Sequence, residues 1–211
     1  MQVQTIVTDI QAILNDTGIT YPVDEILRYI NDAQRIVCMY RADACSSTQS
    51  VPLVSGSKQS IPTTARRFID PMRNMGADGA TPGRGIRSTI SMKDTNNISP
   101  FWHTEVGLDV IECFFDPSRP DEFYIYPQPQ LPHYIEVKLA NNPTPVTRLI
   151  DDIGIVEIYA PCLVSWAAYR LLSRDDDNSP NAQRAELHKN LTFELLGVKT
   201  RSDVSIDRGS E

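Results

Sequence analysis

Four glycines, Gly76, Gly79, Gly83 and Gly85, crowd one short stretch and could in principle cradle a phosphate. Their spacing fits neither the P-loop nor the dinucleotide fingerprint, and no Gly-Lys-Ser/Thr follows, so a mobile or interface loop is the better reading. Ser55-Gly56-Ser57-Lys58 reads as a hairpin tip. No G-x-S-x-G or H-E-x-x-H occurs, and His103, His133 and His188 have no acidic partner in a recognisable order. Trp102-His103 reads as an aromatic packing pair. Asp175-Asp176-Asp177 could attract a divalent cation, but consecutive carboxylates do not converge on a point without a loop built for it. Cys38, Cys45, Cys113 and Cys162 lie far apart with no C-x-x-C pair, as expected of thiols in a reducing compartment. No catalytic residue, metal ligand or cofactor is expected, and the chain does not read as an enzyme.

Charge is more informative than any motif. Arg66, Arg67, Arg73, Arg84 and Arg87 cluster against only Asp70 and Asp78, while Glu105, Asp109, Glu112, Asp116, Asp121 and Glu122 face a single Arg119. Two solvated loops of opposite sign would account for this. So would a head-to-tail contact in which the basic part of one copy meets the acidic part of the next, a contact that closes into a ring when the rotation allows.

The elements that must carry these residues follow from periodicity. Val3, Ile6, Val7, Ile10, Ile13 and Leu14 form one apolar stripe at helical spacing, stopped at Asn15-Asp16-Thr17-Gly18 with Gly18 as the left-handed residue. A second helix starts near Pro22 and buries Val23, Ile26, Leu27, Ile30, Ala33, Val37 and Tyr40, making an αα-hairpin. From about Ser47 the period changes to two. Residues 49–54 and 58–62 predict a hairpin turning at Gly56, residues 84–91 a strand, and Ser91-Met-Lys-Asp94 a capped helical turn. Val110–Phe115, Glu122–Tyr126 and Tyr134–Leu139 predict three further strands, the first two joined by turn residues 116–120. Residues 153–172 predict a helix apolar on nearly all sides, which belongs in the middle of a bundle, with Trp166, Leu163 and Ile30 buried. A last helix runs Asn181 to Leu196 and ends at Gly197.

The fold class is therefore α+β: a helical bundle formed by residues 1–46 and 147–197, an inserted antiparallel β module at 47–146, and an extended C-terminal tail at 198–211. At 211 residues, with 41% apolar and 22% charged side chains, the chain can bury a real core and is not disordered. A net charge of -7 argues against general coating of nucleic acid but not against DNA passing through without sticking. The most apolar stretch, residues 158–169, is too short to span a bilayer, and the N-terminus lacks a basic region, so neither membrane nor secretory segment is expected.

The sequence resembles the head-to-tail adaptor (connector) proteins of short-tailed bacteriophages, in the subgroup with a β insertion between its helices. The residues carrying the match are Tyr21–Arg35, Arg73–Arg84, the strand Phe123-Tyr-Ile-Tyr-Pro127, Tyr159–Val164 with Tyr169-Arg170, Asn181-Ala-Gln-Arg184, and Leu196-Gly-Val-Lys-Thr200. Val23 stands where the family more often has a polar helix cap, and Gly85 where a larger residue is common. The resemblance implies a virion structural protein of the neck and tail, assembled in the host cytoplasm. It would form a dodecameric ring beneath the portal protein, extend the DNA channel, and dock the tail nozzle and spike or fibre proteins. It also implies that the tail binds portal, through Val198, Lys199, Arg201, Asp203, Val204, Ile206 and Arg208, a segment too poor in apolar area to order alone. Another phage neck or tail-completion protein, or a small enzyme with an unrecognised site, are the alternatives.

Overall fold

The computed structural model describes residues 1–16, 18–116, 118–174 and 179–207, with backbone alone for Ser179 and for 198–207. In chain order the elements are α1 (Val3–Leu14), α2 (Val23–Tyr40), β1 (Ser46–Pro52), β2 (Lys58–Ser60), β3 (Ala65–Asn74) and α3 (Met92–Ile98). Then come β4 (Val106–Gly107), β5 (Glu112–Phe115), β6 (Glu122–Tyr126), β7 (Gln128–Pro129), β8 (Tyr134–Asn141), α4 (Ala160–Leu172) and α5 (Ser179–Asp207). The class is α+β, as the periodicities indicate. Met1–Cys45 with Pro143–Glu211 makes one compact unit, and Ser46–Asn142 makes the other.

In the first unit the apolar face of α1 buries Val3, Ile6, Val7 and Ile10. That of α2 buries Ile26, Leu27, Ile30, Ala33 and Val37, whereas Tyr40 is exposed. The helix apolar on most sides, α4, sits in the middle and packs on α1, α2 and α5. Consecutive α1 and α2 touch each other only slightly, so the expected αα-hairpin is mediated by α4, which offers both a larger apolar face. Leu163 and Ile30 are fully buried, but Trp166 is only half-buried. Its ring meets Tyr169 at 5.1 Å and Phe193 at 6.0 Å, on the rim of the α4–α5 seam, because Phe193 is itself 37% exposed. The left-handed residue closing α1 is Asn15, with φ 53°, ahead of the expected Gly18.

The last helix does not stop at Gly197. The backbone of α5 continues to Asp207, because one glycine inside a helix costs only about 1 kcal/mol and nothing there forces a turn. Trp166 meets Phe193 and Lys189 lies over Tyr169, so α4 and α5 run antiparallel, and each step back along α4 corresponds to a step forward along α5. The final turns of α5 therefore run past the end of α4.

The segment returning to α4 is stapled to α2 by two side chains. Asn31 donates to the Val146 carbonyl and accepts from the Val146 N–H, both at 2.8 Å. Gln34, 1% exposed, accepts from the Gly154 N–H at 2.6 Å through Oε1. The same segment caps α1: the otherwise unpaired N–H groups of Val3 and Gln4 reach the Asp151 and Leu149 carbonyls at 2.9 and 3.0 Å. Asp151 accepts from the N–H groups of Thr147 and Arg148, both at 2.9 Å, and these bonds hold its carboxyl at about 2.

The second unit holds two three-stranded antiparallel sheets, ordered β1-β8-β3 and β2-β6-β5, and a short parallel pair β4-β7. The expected β1–β2 hairpin does not form: β1 pairs with β8, and β2 pairs with β6. Pro52 ends β1 with no N–H to offer, and the Gln59 side chain takes the N–H and carbonyl of Val54 and the carbonyl of Gly56, so the turn closes on a side chain instead of a ladder. The β5–β6 hairpin is as expected, Glu112 opposite Tyr126 and Phe115 opposite Phe123. Residues 66–74, which carry no clear period, form β3 with three register irregularities.

Residues 84–91 are not a strand but a stitch between sheets. Ile86 donates to the Met72 carbonyl of β3, Arg87 donates to the Ile111 carbonyl, and Cys113 donates to the Arg87 carbonyl. The two sheets then share one core of Val51, Phe68, Ile86, Phe123, Val137 and Leu139 among others. Phe68 stacks on Phe123 with centroids 4.7 Å apart.

Candidate interaction surface

The chemistry-bearing residues of the second unit gather around the stitch. The glycine-rich loop is ordered, contrary to a mobile loop: Asn74 donates to the Arg84 carbonyl, Gly83 donates to the Asn74 carbonyl, and Asp78 accepts from the N–H groups of Ala80 and Thr81. The Thr81 hydroxyl and these amides hold the Asp78 carboxyl at about 2. Gly79, at φ +69°, lies where a Cβ would stand 3.0 Å from the Tyr134 ring, so the loop lies flat on β8. No phosphate cradle is needed to explain these glycines.

The charged stretches do not stay free for a neighbour throughout. Arg87 Nε lies 3.3 Å from Glu112 Oε2, and Arg73 Nε 2.7 Å from Glu136 Oε2. Glu112, expected on an interface, is 3% exposed; its Oε1 accepts from Thr89 N–H, Thr89 Oγ1 and Ile90 N–H. Asp116 accepts from Ser118 N–H at 2.8 Å, a bond that lowers its carboxyl pKa. Glu105 accepts from Tyr126 Oη at 2.9 Å and Ser99 Oγ at 3.0 Å. Arg67, Arg84 and Asp121 are exposed, while Arg66 and Asp109 are half-buried. The opposite-sign pairing expected between copies is thus in part made inside one copy.

Sequence reasoning missed the polar hub. Asn74, 1% exposed, donates from Nδ2 to the Arg84 and Val110 carbonyls and accepts on Oδ1 from Val110 N–H and His133 Nε2. An amide oxygen only accepts, so His133 carries its proton on Nε2. Burial pushes the His133 pKa down, against the pull of Asp109, which favours this neutral form. Only the inward turn of Asn74 at the end of β3 signals the role, and no periodicity reports that. Asn74→Ala strands the Val110 N–H and the imidazole. It should lower stability by about 3 kcal/mol in urea unfolding, and an unchanged midpoint would show the hub to be dispensable.

Beside the stitch lies a cavity of about 150 Å³, lined by Arg87, Ile90, Ile98, Glu112, Phe114 and Tyr126 among others. Trp102 packs next to it against Phe114 at 5.1 Å and donates to Asn96 Oδ1. Among the described residues no three His, Cys, Asp or Glu side chains gather to hold a metal, and no helix is long and apolar enough to cross a membrane. Asp175–Asp177, the sequence's cation candidate, lie outside the described residues. So does Arg208, and the side chains of Val198, Lys199, Arg201, Asp203, Val204 and Ile206 are likewise outside them.

The model of one family, the SU10 adaptor protein, matches residues 1–209. The chain belongs to that family. No curated protein matches. The adaptor is accordingly a structural protein of a phage, a component of the virion. The match takes in both units and the backbone of α5 beyond α4.

Proposed function

We propose that the adaptor assembles as a dodecameric ring beneath the portal protein, continuing the DNA channel and presenting a surface to the tail nozzle and spike or fibre proteins. Family membership over residues 1–209 carries this reading. The net charge of -7 suits a wall along which DNA slides during ejection, since a phosphate backbone gains nothing by lingering there. Assembly takes place in the host cytoplasm. The two units form the ring body, and residues 198–211 reach the portal. Arg66, Arg67 and Arg84 of one copy face Glu105, Asp109 and Asp121 of the next, while Arg66, Arg73, Arg87, Glu105, Glu112 and Asp116 also make contacts within each copy.

Negative-stain imaging and mass photometry of the adaptor mixed with its portal test this reading. Rings with a central hole, seated on the portal, are the expected result. Compact monomers or dimers at every ratio, with no density added to the portal, would refute it.

A further inference from the structure

We propose that Ile98–Leu108 is the apolar centre of the contact between neighbouring copies, taking the Arg67–Met72–Arg84 surface of the next copy; this rests on the ring reading above.

The strip is unusual for a fixed surface. Ile98 is 79% exposed, Phe101 73%, Val106 67% and Leu108 85%. Summed over the four residues the exposed area is on the order of 500 Å², comparable in size with the largest apolar patch of a typical monomer. That is over half of the roughly 800 Å² each partner contributes to a standard interface.

Exposure here is not looseness. Trp102 is 4% exposed and plugs the segment onto Phe114 and Tyr126, at 5.1 and 6.3 Å. The Glu105 carbonyl accepts from Gln128 N–H at 2.9 Å, and the Glu105 carboxylate is fixed by Tyr126 and Ser99. The four apolar side chains are therefore held outward on a preformed backbone, which removes much of the ordering cost of binding. The cavity opening beside Ile98 gives the strip a recess for one inserted side chain.

Charge selects the occupant. From Asp94 to Asp109 the chain carries Asp94, Glu105 and Asp109 and no lysine or arginine, while Glu112 is buried and paired with Arg87. The surface of opposite character lies on the same unit: exposed Arg67 and Met72 on β3, and exposed Arg84 between Gly83 and Gly85. Met72 is 45% exposed and supplies an apolar side chain on the same strand as Arg67; exposed Asp70 between them accepts from Ser88 Oγ at 3.3 Å. Because the two patches differ, the contact is heterologous, and in a closed ring every copy's strip is covered by its neighbour. Exposed ion pairs alone contribute below about 1 kcal/mol each, so the apolar strip supplies most of the affinity.

The test compares the full-length adaptor with Phe101→Ser/Leu108→Ser, alone and with portal, by mass photometry. Both residues are exposed, so the melting temperature should hold while the ring fraction falls at least tenfold. Benzoylphenylalanine placed at Leu108 should cross-link, on irradiation, to a neighbour's peptide containing Met72 or Arg84. Normal rings from the double variant, or cross-links elsewhere, overturn the surface and leave the ring reading standing. A wild-type chain that stays monomeric with portal overturns both. Intact rings that lose only their tail protein would assign the strip to that partner and overturn the contact between copies.

Discussion

Gly154→Ala should destabilise the helical unit by about 3–5 kcal/mol, the sum of an overpacked contact and an unpaired buried amide. A Cβ at this position would stand 2.6 Å from the Thr144 nitrogen, 2.9 Å from the Thr144 oxygen and 3.1 Å from Gln34 Oε1. Two of those atoms are backbone and cannot swing away. Any retreat pulls the Gly154 N–H from Gln34, whose amide is then left without its donor in a site 1% exposed. Gly197 supplies the control, because a Cβ there meets nothing within 4 Å inside α5. Gly197→Ala should therefore gain about 0.5–1 kcal/mol by restricting the unfolded chain and favouring helix. Urea unfolding followed by circular dichroism reads both, and equal midpoints for the two variants would contradict the close approach at Gly154.

Deleting residues 198–211 should abolish co-sedimentation with portal while leaving the melting temperature nearly unchanged. The seam contacts between α4 and α5 that hold the fold include Trp166 with Phe193 and Lys189 over Tyr169, both ahead of this segment. A helix of this length is marginal in water by itself, so binding would supply much of its order. Weak contacts repeated around a ring multiply through effective concentration, and their joint loss should be total instead of graded. Portal binding that survives the deletion would move the contact elsewhere, to the helical face at Tyr21–Arg35.

Helices were the most legible part of the sequence. The stripes of α1 and α2 and the all-round apolarity of α4 report burial directly, and burial sets who packs in the middle. Strands were legible as faces but not as partners: a period of two says which side of β1 is buried, not that β8 will lie beside it. The Glu in Val110-Ile-Glu-Cys-Phe-Phe reads as an outward charge, yet three donors from Thr89 and Ile90 draw Glu112 inside. Gly197 reads as a stop because glycine punctuates on average, while its own site lets the helix continue.

The ladder of β1 with β8 has a consequence for how such a chain can change. Ser46, the first residue of the β unit, lies opposite Ala140, two residues before its end. The unit thus enters and leaves through adjacent rungs, like a cassette with both connectors on one edge. Closing or lengthening it disturbs only that doorway, so its loops, charges and apolar edge can be exchanged for those of another module while α2 and α4 keep the same two attachment points. An adaptor built this way can refit the surface of its β unit to a new partner without rebuilding its helices.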